Sequence, residues 1–122
     1  MSTPAVDRDA LIKLLDGNPD LVVTIVDSFL DDCPEYMDAI RGAVEEENGE
    51  VLEREAHGLK GAAGSLRAEP ASEAAQVLEE IGRSGDFAEA GPALEALEDE
   101  IDRLSAALRA LREDCQEATN DG

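Results

Sequence analysis

Tryptophan is missing from this chain, and Phe29, Tyr36 and Phe87 are its only aromatic residues. A core must therefore be assembled from Leu, Ile, Val and Ala, the composition of helix-on-helix packing; a sheet would want β-branched and aromatic runs. Basic residues are equally scarce. Ten Lys and Arg face thirty Asp and Glu, a formal net charge of −20. Such a surface repels nucleic acid and anionic membranes. It also repels a phosphorylated partner at long range, so docking one requires a local exception. The two cysteines, Cys33 and Cys115, have no spacing that suggests a metal site or a disulfide framework. Signal peptide, lipidation motif and long apolar run are all absent, which reads as a soluble cytoplasmic protein with reduced thiols and no membrane role.

What is present is helical periodicity. The 122 residues make one domain of ordinary size. Ser2 or Thr3 before Pro4 predicts the start of a short helix whose apolar residues are Val6, Ala10, Leu11, Leu14 and Leu15, ending at Gly17. Asn18 is expected to cap a second helix with Pro19 in its first turn. Its stripe runs Val22, Ile25, Val26, Phe29, Leu30, Cys33, Met37, Ile40 and Val44. The stripe stays in phase across Pro34, which predicts one helix to about Glu47, kinked where Pro34 removes a hydrogen bond. Asn48-Gly49 closes it.

A third helix is expected over about 50–67, stopped by Glu69-Pro70. A fourth, capped by Ser72, turns Ala74, Ala75, Val77, Leu78 and Ile81 inward and stops between Gly82 and Gly85. Gly91-Pro92 or the Asp86 region opens the last. There Leu94, Leu97, Ile101, Leu104, Leu108 and Leu111 are spaced 3, 4, 3, 4 and 3, the seam of a bundle rather than of an oligomeric coiled coil. The fold expected is all-α: an antiparallel up-and-down four-helix bundle with a short N-terminal cap helix. Residues 1–112 form the bundle domain and 113–122 a polar, disordered tail.

The third helix holds the only histidine, His57. At about 100° per residue, Leu52, Ala56, Leu59, Ala63 and Leu66 fall in one apolar stripe. His57 lies roughly 140° from its centre and faces outward. Gly61 and Gly64 follow on the same outward side, Gly58 adjoins the histidine, and Lys60 flanks it. Each glycine inside a helix costs about 0.8–1 kcal/mol relative to alanine. Three in seven positions are hard to ascribe to folding. Their shared effect is to clear side chains from beside one imidazole.

The run Ala56-His57-Gly58-Leu59-Lys60-Gly61-Ala62-Ala63-Gly64-Ser65-Leu66-Arg67-Ala68 resembles the histidine-containing phosphotransfer (HPt) domains of bacterial multistep phosphorelays, and more loosely so over about residues 6–111 through helix lengths and order. Two departures stand out: Gly58 replaces the commoner threonine, and Arg67 stands where a glycine is usual. They bear on partner preference more than on chemistry. The resemblance implies that His57 accepts a phosphoryl group from a receiver-domain phospho-aspartate and passes it to a second receiver. It implies Lys60 as the cation beside the phosphoryl group, and Gly58, Gly61 and Gly64 as small residues giving the partner access. The partners implied are response-regulator receiver domains, a hybrid sensor histidine kinase, or both. No cofactor is expected on this chain, the Mg²⁺ belonging to the receiver. A phosphoryl carrier without kinase activity of its own, monomeric and cytoplasmic, is the resulting expectation.

The chemistry fits the residues. A phosphoacceptor histidine needs a neutral, exposed imidazole nitrogen; an ordinary histidine pKa near ~6.5 supplies it at cytoplasmic pH without a general base. A compact ammonium at i+3 screens the incoming charge. Lys60 finds only Ala56 one turn back and so nothing to pair with on its own helix. Glu53 reads as a solvated charge, and Arg54 is a weaker candidate for touching a partner. A general-base enzyme would want a nucleophile or convergent pocket; Ser65 is eight residues away and no second histidine offers a metal site. The alternative class is a docking or adaptor bundle that binds receivers or other signalling proteins without phosphotransfer. The presence of both His57 and Lys60 weighs against it.

Overall fold

The computed structural model describes residues 4–120, so the expected helix start at Ser2 or Thr3 lies outside the described residues. Five helices follow in order: α1 (Arg8–Leu14), α2 (Pro19–Glu46), α3 (Gly49–Ser65), α4 (Glu69–Ser84) and α5 (Ala90–Asn120). The long four close a ring in which α2 packs on α3, α3 on α4, α4 on α5 and α5 back on α2. Cross-helix pairs run in opposite senses along the chain. Asp27 meets Arg112 while Arg41 meets Glu98 between α2 and α5, and His57 meets Glu79 while Ser72 meets Lys60 between α3 and α4. This is the antiparallel up-and-down bundle with a short cap helix that the spacing predicts.

The apolar stripes fill the centre. Leu52, Ala56, Leu59, Ala63 and Leu66 are all buried, as are Leu97, Ile101, Leu104, Leu108 and Leu111 of α5. Truncating a residue such as Leu59 to alanine would cost about 2–5 kcal/mol. In α2 the buried line Val22, Val26, Phe29, Cys33, Met37 and Ile40 passes Pro34 without losing phase. Pro34 lies inside one continuous helix, because packing on both sides outweighs the missing hydrogen bond. Asn18 accepts from the backbone N–H groups of Asp20 and Leu21, the expected cap. No disulfide joins Cys33 and Cys115.

Several boundaries differ from expectation. Asp7 caps α1 by accepting from the Ala10 N–H, and the Asp7 N–H donates to the Arg67 carbonyl, which seats the cap helix on the α3–α4 turn. Asn48 closes α2 as expected, its N–H donating to the Ala43 carbonyl after Glu47 turns into the left-handed region at φ 53°, and its side chain also caps α3, accepting from the Val51 N–H. The turn after α3 comes at Arg67, with φ 60°, before Glu69-Pro70 is reached. Pro70 belongs to the first turn of α4, where its missing N–H is harmless. Ser72 is therefore inside α4 and caps nothing; its hydroxyl donates to the Lys60 carbonyl. Val77, expected inward, is exposed, and the inward positions of α4 are Ala71, Ala75, Leu78, Glu79 and Gly82. Residues 113–120, expected to leave the fold as a polar tail, continue α5 as helix, with Cys115 half-buried against the core and Asp114 paired to Arg8. Asp121 and Gly122 lie outside the described residues. No helix among the described residues is long and apolar enough to cross a membrane.

Candidate functional site

His57 sits in the third turn of α3 with its side chain 68% exposed, on the side opposite the buried Leu52–Leu59 stripe, as the helical spacing requires. Its Nδ1 is 3.0 Å from Oε2 of Glu79 on α4. Glu79 is the one buried charged residue recorded among the described residues, its side chain 5% exposed. Three cationic or proton-bearing groups surround that carboxylate. Lys60 Nζ lies 2.6 Å from Oε1, and Arg83 Nη2 lies 3.0 Å from Oε2, the oxygen that also faces His57. Arg83 reaches further to Glu53 at 3.5 Å.

A buried carboxylate is tolerated only when paired and hydrogen-bonded. Here the hydrogen bond from Lys60 holds the Glu79 carboxyl below its ordinary range; burial pushes the other way, and the hydrogen bond and charge of His57 and the charge of Lys60 add to the lowering. An ionised Glu79 can only accept. The hydrogen on the shared His57–Glu79 axis therefore belongs to Nδ1, and the unprotonated nitrogen of the neutral ring is Nε2. That nitrogen has no recorded hydrogen bond among the described residues and stands on the exposed side of the ring. An outward lone pair, a tethered ring and an ammonium on the next turn are what an acceptor of an electrophilic phosphorus requires.

The lysine expectation is half changed. Lys60 does flank His57, but it has a partner that its own helix could not show: Glu79, across the α3–α4 groove. Glu53, expected as a solvated charge, instead holds Arg83, and Arg54 pairs with its neighbour Glu55. Glu50, Glu53, Arg54, His57, Glu79 and Arg83 together line an open depression on this face.

The three glycines separate. Around Gly61 a Cβ would meet nothing within 4 Å, so its surface beside the imidazole is open. At Gly64 a Cβ would touch Ser72 Oγ at an ordinary 3.7 Å. Gly58 is different from expectation. A Cβ there would stand 2.8 Å from a ring carbon of Tyr36 on α2, so its missing side chain makes room for this chain's own tyrosine and not for a visitor. Two glycines expected only as helix ends, Gly49 and Gly82, set how closely α3 and α4 approach beneath the site.

Glu79 itself was the residue missed. Its signal was an acidic residue at i+4 from Ala75 and next to Leu78, on the inward edge of α4. Among the described residues no group of three or more His, Cys, Asp or Glu is placed to hold a metal ion.

Comparison with known proteins bears on the family and the fold. The family model described as Hpt domain matches residues 24–107. Among solved structures, the crystal structure of histidine-containing phosphotransfer protein B (HptB) from Pseudomonas aeruginosa PAO1 is similar at a TM-score of 0.85, with 24% sequence identity over 93% of this chain and 98% of that one. At that identity the likeness speaks for the fold. No curated protein matches the sequence.

Proposed function

Because the chain belongs to the Hpt domain family, we propose that it is a phosphorelay intermediate whose phosphoacceptor is His57. The observation that carries this reading is the exposed ring of His57, tethered at Nδ1 by Glu79 with Nε2 left outward. The donor is a phospho-aspartate on a receiver domain. The Nε2 lone pair forms the N–P bond as the P–O bond to the aspartyl carboxylate breaks, and the electron pair leaves with that carboxylate. A second receiver's aspartate then takes the phosphoryl group in the reverse sense.

Lys60 supplies positive charge beside the transferred group, its ammonium turning from Glu79 toward the phosphoryl oxygens. Gly61 supplies open surface where a receiver's acidic pocket, with the Mg²⁺ that the receiver carries, must come close. Gly64 lies one turn further along. The chain contributes no kinase chemistry; it is a carrier, working as a monomer in the cytoplasm between receiver domains, a hybrid sensor histidine kinase, or both.

The test is direct. Incubation with a ³²P-labelled receiver domain and Mg²⁺ should move label to this chain as acid-labile, base-stable phosphate, and His57→Gln should accept none. Binding of receivers with no label transfer to the wild-type chain would replace the carrier by a docking module.

A further inference from the structure

On the α2 side the phosphoacceptor site is walled by one side chain, Tyr36, for which the phosphoryl chemistry has no use. We propose that Tyr36, seated on Gly58, is a specificity-determining residue: its ring and unpaired hydroxyl form the edge on which this chain tells one receiver domain from another. This rests on the carrier reading, with His57 as the phosphoacceptor.

A Cβ on Gly58 would stand 2.8 Å from Cε1, 3.2 Å from the hydroxyl oxygen and 3.4 Å from Cζ of Tyr36. These atoms are the tip of the ring. The phenol therefore reaches across from α2 and lays its hydroxyl end on the α3 backbone at the residue after His57. The imidazole meets α4 instead, through Glu79. His57 thus has the α4 carboxylate on one side and the phenol on the other, with open surface at Gly61 one turn further on. A glycine inside a helix costs stability, and threonine, the family's commoner residue at this place, would collide with the ring. Position 58 gives up its own side chain, and one from α2 stands there in its stead.

The ring is placed as an interface anchor. It is partly buried against the core, and no hydrogen bond from its hydroxyl is recorded among the described residues. A buried tyrosine hydroxyl ordinarily finds a partner; an apolar body with an unpaired tip suits a boundary that a second protein covers. Aromatics are scarce in this chain, yet two of its three, Phe29 and Tyr36, line one groove of about 190 Å³ between α2 and α3. Ile25, Ala62 and Leu66 complete its apolar wall, and Tyr36 stands at the end nearest His57. The groove has room for one large side chain. Asp32, one turn before Tyr36, lies on its rim, and Glu35 precedes the tyrosine; both are exposed, with no ion pair recorded among the described residues. The receiver surface that complements this edge carries an apolar side chain for the groove, a Lys or Arg for the two carboxylates, and a hydrogen-bond acceptor for the phenol. A receiver with an acidic residue there is repelled, and one without the acceptor leaves the phenol unpaired and desolvated.

Transfer to the full chain tests this with three donors. Two are ³²P-labelled receiver domains with Mg²⁺ that the wild type accepts at different rates, and the third is phosphoramidate, a small N–P donor that needs no docking. Tyr36→Ala should raise the half-saturating concentration of the better receiver about tenfold or more, the scale of a lost interface aromatic, and leave the rate at saturation within about twofold. Tyr36→Phe keeps the packing and should raise it about threefold, the loss of one hydrogen bond. In both variants the ratio of transfer efficiencies between the two receivers should fall. Gly58→Thr should behave like Tyr36→Ala, and the two combined should lose no more than either alone, because both take the same ring from the same place. Phosphoramidate should label His57 at the wild-type rate in every variant. An unchanged half-saturating concentration and an unchanged ratio in Tyr36→Phe and Tyr36→Ala, with helical circular dichroism intact, make Tyr36 core filling and overturn its role while the carrier reading stands. Receiver and phosphoramidate rates that fall in step overturn it too, since the ring would then support His57 and not the partner. A wild type labelled by phosphoramidate and by no receiver overturns the carrier reading and this inference with it.

Discussion

Gly49 and Gly82 meet at the crossing of α3 and α4 so closely that a Cβ on Gly49 would stand 2.6 Å from the Gly82 carbonyl oxygen. A Cβ on Gly82 would stand 2.5 Å from the Glu53 amide nitrogen. The obstacle in both cases is backbone, which cannot swing aside. This contact sets the depth at which Glu79, three residues before Gly82, lies under His57. Gly82→Ala should therefore do two things. Helix propensity alone would favour alanine by about 1 kcal/mol, yet forcing the helices apart should leave a net loss of about 1–3 kcal/mol in urea denaturation. Phosphotransfer to His57 should slow as the hydrogen bond to Glu79 lengthens. An unchanged denaturation midpoint would mean the crossing has slack that the backbone distances deny.

Arg67 shows the opposite economy of glycine. It stands in the left-handed region at φ 60°, between α3 and α4, where the family's usual residue is a glycine. An L-residue there costs on the order of 1–2 kcal/mol. Its carbonyl accepts the Asp7 N–H at 3.0 Å, a bond any residue can supply. Arg67→Gly should thus raise stability by about 0.5–1 kcal/mol, part of the relieved strain being lost to unfolded-state entropy. The same substitution should leave phosphotransfer unchanged. A loss of stability would show that the guanidinium, and not the backbone, is what the turn needs.

Much of this was legible from spacing alone. The stripe Leu52, Ala56, Leu59, Ala63, Leu66 is a property of one helix, so a single angle per residue fixed both what is buried and that His57 faces out. The seam from Leu97 to Leu111 was readable for the same reason. What lay beyond reach was register between helices. Nothing within α4 says which of its residues comes opposite His57, and so Glu79 was invisible, and Lys60, judged by its own helix, looked unpartnered. The misplacement of Val77 has the same origin: an apolar side chain marked a face that tertiary packing gave instead to Ala71, Ala75 and Gly82. At the other end, residues 113–120 carry too few apolar side chains to predict a helix. The helix continues because Leu111 and Cys115 still touch the core and Arg8 reaches Asp114.

Gly61 offers a cleaner separation of folding from function. A Cβ there meets nothing within 4 Å, and the position is exposed in the middle of α3. Gly61→Ala should stabilise the domain by about 0.5–1 kcal/mol through helix propensity. Gly61→Leu should keep the fold but slow transfer from a receiver at least severalfold, because the side chain would stand where the partner must approach. Equal transfer rates in wild type and Gly61→Leu would remove the case that this glycine is kept for access.

Lys60 ties stability to pH through Glu79. Its hydrogen bond is the largest cause holding the Glu79 carboxyl below the ordinary value of 4.5, while burial opposes it. A carboxyl whose native pKa is depressed adds stability that is fully present above its unfolded value and is lost as the pH falls through the native one. In the wild type this contribution is therefore intact at neutral pH and fades on acidification below the ordinary carboxyl range. Lys60→Ala removes the principal counter-charge from a nearly buried carboxylate, leaving Arg83 and the imidazole hydrogen bond. The variant should lose about 1–3 kcal/mol at pH 7. Because its Glu79 is more readily protonated, acidification should remove less from the variant than from the wild type. The two denaturation curves should accordingly converge between pH 7 and pH values below 4. A gap of the same size at both ends of that range would mean that Lys60 stabilises α3 and α4 through its aliphatic stem, and that its charge is spent elsewhere.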